Sequence, residues 1–388
     1  MMTLNTLLDK VEPSKSVTLL AKTRKLQETD PTILNFTGGE PDFDTPKAIC
    51  DEAYRQMLAG QTHYANAKGD IDLRRALAEK LARENGAPYG EDDILVTTGG
   101  KYAIYVAVQA MMNPGDEALW LTPGWVSYPA IVTLCGGTAK AVHLDYDQDY
   151  ALTADLLEAQ TTDKTKLLII NYPNNPTGKL MSEQDMAELK TWMRRHPQVY
   201  VISDEIYEKL VYDGKSFTSL ASDPEFFGRT LIVNGFSKCS AMTGWRIGYL
   251  ACPPELMPSV MKIFQHSMSC VATFTQKAAI VALHCEEETE QMRLAYERRR
   301  MILYNGIKEI PKAELVKPEG SFYAWVRFDT ALDSETVCNR LLEEAGVAGI
   351  PGSAYGEEKY PMVRFCYASE DDKLKELVRR LKIFCESL

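Results

Sequence analysis

The 388-residue chain is short of several things that would point to other chemistries. Its nine cysteines (Cys50, Cys135, Cys239, Cys252, Cys270, Cys285, Cys338, Cys366 and Cys385) are odd in number, scattered and without a CxxC pair, so they read as reduced thiols rather than a disulfide framework. The five histidines, His63, His143, His196, His266 and His284, keep no metal-ligand spacing, and no metal is expected. No apolar run approaches membrane-spanning length, and the opening Met1-Met2-Thr3-Leu4-Asn5 is not a basic segment leading into an apolar one. A cytoplasmic location away from membranes is therefore expected. Positive charge is scarce too. With a formal net charge of -11 and no basic block longer than Arg298-Arg299-Arg300, nucleic acid is not an expected partner. Repeats, low-complexity tracts and linkers are missing, and 45% hydrophobic with 25% charged residues is ordinary for a globular chain with a sizeable core.

What is present concentrates in Asn234-Gly235-Phe236-Ser237-Lys238, followed by Arg246 in Met242-Thr243-Gly244-Trp245-Arg246. A lone lysine after the apolar Leu231-Ile232-Val233 would ordinarily be a solvated residue closing a strand. Here it keeps company with a hydroxyl and a guanidinium. A lysine can hold a carbonyl cofactor covalently, and the other two groups suit a phosphate monoester, so pyridoxal phosphate is the cofactor with both handles. Upstream, Val199-Tyr200-Val201-Ile202-Ser203-Asp204 reads as a buried strand ending in an acid fit to bind a pyridinium nitrogen, with Tyr207 three residues on. Leu167-Leu168-Ile169-Ile170 is another such strand, and it leads into a loop that can aim Asn175 at a phenolic oxygen. Cys239, directly after Lys238, reads as a small residue in a tight loop.

From about residue 46 to 280, short apolar strands alternate with amphipathic helices, which predicts an α/β layered domain with a mainly parallel sheet. After about residue 285 a charged helix gives way to strands such as Phe322-Tyr323-Ala324-Trp325-Val326 and Met362-Val363-Arg364-Phe365, an α+β segment. Thr98-Gly99-Gly100-Lys101 sits between strand and helix, where glycines allow close approach and free N–H groups can meet an anion.

With these motifs in order, from Gly39-Glu40-Pro41-Asp42-Phe43 to Val363-Arg364-Phe365, the chain resembles the class I/II aminotransferases of fold type I, the aspartate aminotransferase superfamily, nearly end to end. The resemblance implies a large α/β domain (46–284) with a mainly parallel seven-stranded sheet between helices. It also implies a smaller α+β domain built from both termini (1–45 and 285–388). Lys238 would carry pyridoxal 5'-phosphate and shuttle protons. Asp204 would pair with the ring nitrogen, Tyr207 and Asn175 would bind the ring oxygen, and Trp125 would stack on the ring. Gly100, Lys101, Ser237 and Arg246 would hold the phosphate, joined by Tyr64 from a neighbouring subunit, so a homodimer with shared sites is expected. Arg364, with the backbone at Gly39 and with Asn175, would anchor the α-carboxylate of an amino acid or 2-oxo acid substrate.

The implied reaction is a ping-pong transfer of an amino group. For the side chain, Lys101 resembles a lysine that binds the distal carboxylate of aspartate or glutamate in one bacterial subgroup, and Ser14 and Ser16 resemble pocket residues of a mobile segment. Glu12 and Lys15 depart from that subgroup, and Tyr128 and Tyr323 would equally tolerate an aromatic substrate, so aminotransfer from aromatic or other amino acids stays open. A carbon-sulfur β-lyase on the same scaffold and a catalytically idle cofactor-binding regulator stay open as well.

Overall fold

The computed structural model describes residues 5–356 and 359–388, with the side chain of Ser16 outside the described set. Its strands are β1 (Leu34–Asn35), β2 (Ile94–Thr97), β3 (Glu117–Thr122), β4 (Thr138–His143), β5 (Thr165–Asn171), β6 (Tyr200–Asp204), β7 (Thr230–Gly235), β8 (Gly248–Ala251), β9 (Ala313–Leu315), β10 (Tyr323–Phe328), β11 (Val347–Ala348), β12 (Ile350–Pro351) and β13 (Met362–Cys366). Seven of them form one sheet in the order β2-β8-β7-β6-β5-β3-β4.

Only β8 runs antiparallel, to β2 on one side and β7 on the other. The Phe236–Ile247 connection carries no helix, so the chain re-enters the sheet in the reverse direction; the remaining links in the sheet are long enough to cross over and stay parallel. β6 and β7 are buried almost throughout because helices cover both faces, which is why their sequences are continuous apolar runs rather than alternating ones.

Five helices frame this sheet's edge or the site: α1 (Lys15–Thr29), α2 (Lys47–Leu58), α3 (Ile71–Asn85), α4 (Gly100–Met111) and α5 (Ser127–Leu134). α3 shows how locally the boundaries are set. Asp70 caps it by accepting from the N–H groups of Asp72 and Leu73, and Gly86 ends it in the left-handed region at φ 62°.

The rest of the chain builds a four-stranded antiparallel sheet, β12-β13-β10-β9, with the helices Glu286–Lys308, Ser334–Ala345 and Asp371–Glu386. The amino-terminal β1 pairs in parallel with β11, Leu34 against Val347. Thus the two ends of the chain meet, and an apolar core including Phe36, Tyr323, Val363, Phe365 and Leu377 fills the space beneath them. Among the described residues no helix is long and apolar enough to cross a membrane.

Candidate active site

Parallel strands gather ligands at their carboxyl ends, and here those ends deliver the chemistry. Thr97 closes β2, Asn171 closes β5, Asp204 closes β6 and Gly235 closes β7, one turn before Lys238. They open onto a cavity of about 460 Å³ whose wall includes Gly39, Gly100, Lys101, Trp125, Asn175, Asp204, Tyr207, Ser237, Lys238, Arg246 and Arg364. Eleven of the twelve residues singled out in the sequence are therefore brought together. Tyr64 is not: it is 91% exposed and outside the wall.

At one end the cavity is built for an anion. Gly99 has φ 89°, and a side-chain carbon there would come within 2.7 Å of Arg246 Nη2, so only glycine lets the guanidinium lie against this turn. Arg246, itself at φ 53°, donates through Nη1 to the Thr243 carbonyl at 2.9 Å and through Nη2 to the Thr98 carbonyl at 3.3 Å. Beside it, the N–H groups of Gly100 and Lys101 open α4 with no acceptor among the described residues. Ser237 adds a buried hydroxyl.

In the middle, Lys238 is partly buried and its ammonium donates to the Gly39 carbonyl. Burial pushes its pKa down to about 8, since the charged form loses its water. Asp204 is 6% exposed, and burial pushes its pKa up to about 6 against the lowering effect of the Tyr128 hydroxyl, which donates to Oδ2 at 2.8 Å. The Asn171 side chain ties the strand ends, donating to the Asp204 main-chain carbonyl at 2.9 Å and accepting from Asn175 N–H at 3.0 Å. Trp125 stands edge-on to Tyr128, ring centres 5.3 Å apart.

At the far end, Arg364 is 4% exposed and stacked 4.3 Å from the Tyr323 ring. It donates to the carbonyls of Thr37 and Gly38 at 2.9 and 2.8 Å and to Asn175 Oδ1 at 3.1 Å, while its buried Nε has no partner among the described residues. The phenols of Tyr207 and Tyr323 meet at 2.8 Å, and burial holds Tyr207 protonated well above the ordinary range. Lys101 Nζ lies 4.8 Å over the Trp125 ring; partial desolvation and then the charge of Arg246 draw its pKa down.

The structure bears on three further sequence readings. Tyr128 and Tyr323, read as able to tolerate an aromatic substrate, both line the cavity, with their hydroxyls on Asp204 and Tyr207. Ser14 does line the cavity, while the side chain of Ser16 lies outside the described residues. Glu12 and Lys15, which stood against an acidic substrate, are off the cavity wall, and Lys15 pairs with Glu335 at 2.6 Å. Asn171 was missed although it closes a buried strand as Asp204 does, and the same signal would have found it. The Arg24–Glu40 pair at 3.2 Å, with Thr243 donating to Glu40 at 3.1 Å, borders the mouth and carried no local signal.

A family model for aminotransferases of class I and II matches residues 31–381. The chain belongs to that family. It is similar to the aspartate/prephenate aminotransferase of Cereibacter sphaeroides, 39% identical with 98% of each chain covered. It is also similar to the aspartate aminotransferase of Bacillus subtilis, 37% identical with 96% of each covered. Among solved structures, the aspartate aminotransferase of Rhizobium meliloti superposes with a TM-score of 0.94 at 34% identity, covering 100% of this chain and 99% of the other. The Thermus thermophilus aspartate aminotransferase with maleate gives 0.93 at 36%, with all of both chains covered. This protein is thus an aminotransferase of fold type I, and the cofactor of the aspartate aminotransferases is pyridoxal 5'-phosphate. The donor set of the cavity fits that group: unaccepted N–H groups, a hydroxyl and a guanidinium at one end, and a desolvated lysine opposite a buried carboxyl.

Proposed function

We propose that this aminotransferase moves the amino group of an acidic L-amino acid, aspartate or glutamate, to a 2-oxo acid in two half-reactions of ping-pong type. The observation that carries the reading is the placement of cations: Arg246, Arg364 and Lys101 line the same cavity as Lys238. Three anions answer them, the cofactor phosphate at Arg246, the α-carboxylate at Arg364 and a distal carboxylate at Lys101. Relatives named for aspartate, and a neighbour solved with the dicarboxylate maleate, support the same choice.

Pyridoxal phosphate, when bound, supplies the electron sink that makes the α-hydrogen of an amino acid removable as a proton. In this reading the backbone N–H groups of Gly100 and Lys101, with Ser237 and Arg246, would hold its phosphate, and Trp125 would cover one face of its ring. Asp204 would hold a proton at the ring nitrogen, and Tyr207 with the Asn175 amide would donate to the ring oxygen. Arg364 would turn the α-carboxylate so that the α-hydrogen faces Lys238, and Lys238, whose lowered pKa leaves a useful fraction as free amine, would take that proton at Nζ. Gly39 and Asn175 complete the carboxylate seat. We assign residues 46–284 to the cofactor-holding unit and 1–45 with 285–388 to the smaller one. Tyr64, exposed in a single chain, is assigned to the phosphate site of a second copy, so the working unit is a homodimer; a cytoplasmic location without nucleic-acid partners completes the reading.

The test is a single-turnover titration of the yellow holoenzyme with individual amino acids, following loss of the cofactor's absorbance as pyridoxamine phosphate forms. Aspartate and glutamate should react fastest. Equal rates for alanine or phenylalanine would refute the acidic assignment, and pyruvate release from cystathionine without an oxo acid would place the enzyme among the β-lyases instead.

A further inference from the structure

We propose that Tyr128 is a positioning residue for the cofactor ring, fixing at once the carboxyl group assigned to the ring nitrogen and the indole assigned to the ring face. This rests on the assignment of Asp204 to the ring nitrogen. Tyr128 is 2% exposed at the start of α5, on a turn that no strand end of the β5–β7 group supplies. Its hydroxyl donates to Asp204 Oδ2 at 2.8 Å, and its ring meets Trp125 at an interplanar angle of 86° with centres 5.3 Å apart. One side chain therefore touches two of the groups assigned to the ring, from an element that carries no other residue of the cavity.

The acid needs such a partner. A carboxylate buried to this degree, without full pairing, gives up its charge by taking a proton. Asp204 Oδ1 accepts the Ile206 N–H at 3.3 Å, a weak contact, so the Tyr128 hydroxyl is its strongest donor among the described residues. Lys238 is the cation that faces it, Tyr207 is the titratable neighbour on its own loop, and neither is hydrogen-bonded to its carboxyl. The Tyr128 bond holds the carboxyl rotamer and favours the ionised form, leaving the remaining lone pairs free for a protonated ring nitrogen. The edge-on contact with Trp125 sets the indole in a geometry favoured for aromatic pairs.

The experiment compares wild type, Tyr128→Phe, Asp204→Asn and a protein carrying 3-fluorotyrosine at position 128. Two quantities are read: the carboxyl titration of Asp204 by carbon-13 NMR in the cofactor-free protein, and the dissociation constant for pyridoxal phosphate by equilibrium dialysis. Tyr128→Phe keeps the ring and deletes the hydroxyl. It should move the Asp204 midpoint upward from about 6 and weaken cofactor binding about tenfold, the scale of one hydrogen bond to a charged group. The more acidic fluorotyrosine hydroxyl, in an unchanged shape, should move the midpoint downward. Should neither variant move the midpoint, the proposal is overturned. If Asp204→Asn binds the cofactor as tightly as wild type, the nitrogen assignment itself has failed; if Asp204→Asn weakens binding while Tyr128→Phe does not, only the role of Tyr128 has.

Discussion

Arg364 and Asn175 lie 189 residues apart in the chain and meet at 3.1 Å, guanidinium Nη1 on carboxamide Oδ1. The contact orients the asparagine: with its oxygen taken by the arginine, its NH₂ is the end left to donate. It also links the residue assigned to the substrate carboxylate with one assigned to the cofactor's ring oxygen, so the two binding events share a side chain.

Replacing Arg364 by lysine should raise KM for amino donors by one to two orders of magnitude, because a point charge cannot supply the fork that now reaches Thr37, Gly38 and Asn175 together. Steady-state kinetics with two donors checks this. An unchanged KM would remove Arg364 from the carboxylate seat.

Replacing Lys101 by alanine should lower kcat/KM for aspartate and glutamate about 10- to 100-fold, the range expected for a lost charge-assisted contact, with little change for alanine or phenylalanine. If all four substrates lose equally, the Lys101 side chain serves the cofactor rather than the distal carboxylate. Single-turnover rates separate the two outcomes.

The titration of Lys238 should be visible in the cofactor-free protein. Its folded pKa of about 8 lies below the ordinary 10.5, so between those values the unfolded chain holds more protons than the folded one. This residue's contribution to stability is therefore least below pH 8 and recovers as pH rises toward 10.5. Asp204 has the opposite course: raised from 3.8 to about 6, it favours the folded state at low pH, and that contribution is lost as pH rises through 6. Reductive methylation should label Lys238 with a midpoint near 8, and urea denaturation of Lys238→Met across pH 7 to 10 should lack the wild-type rise.

Lys80 and Glu208 form an ion pair with side-chain exposures of 6% and 9%, bridged by Asn85 and joined by Asn234 on the strand that leads to Lys238. Lys80→Met leaves the Glu208 side chain buried without its cation, and a loss of about 3–5 kcal/mol in urea denaturation is expected. Glu208→Gln in the same background should restore part of it.

Tyr64→Ala and Lys238→Ala, each impaired alone, should regain activity when subunits are mixed, because a mixed dimer has one site free of both changes. At most about a quarter of all sites are restored in a random mixture of twofold dimers. Full independence of the two variants would place Tyr64 outside the site of a second copy.

Much of this protein was legible in the chain alone. The apolar runs before Asp204 and Lys238 had to be buried parallel strands, since continuous hydrophobicity is stable only with both faces covered, and strand ends are where side chains escape into a cavity. That logic reaches Lys238, Asp204, Asn175 and the Gly99-Gly100 turn without coordinates. Tertiary structure decided what depends on approach between distant segments. It made Tyr128 the hydrogen-bond partner of Asp204, took Lys15 off the cavity by pairing it with Glu335, and set the carbonyls of Thr37 and Gly38 against Arg364. The physical reason is range: periodicity and turn chemistry act over a few residues, whereas a hydrogen bond of 3 Å between residues far apart in sequence exists only once the core has fixed where each backbone runs.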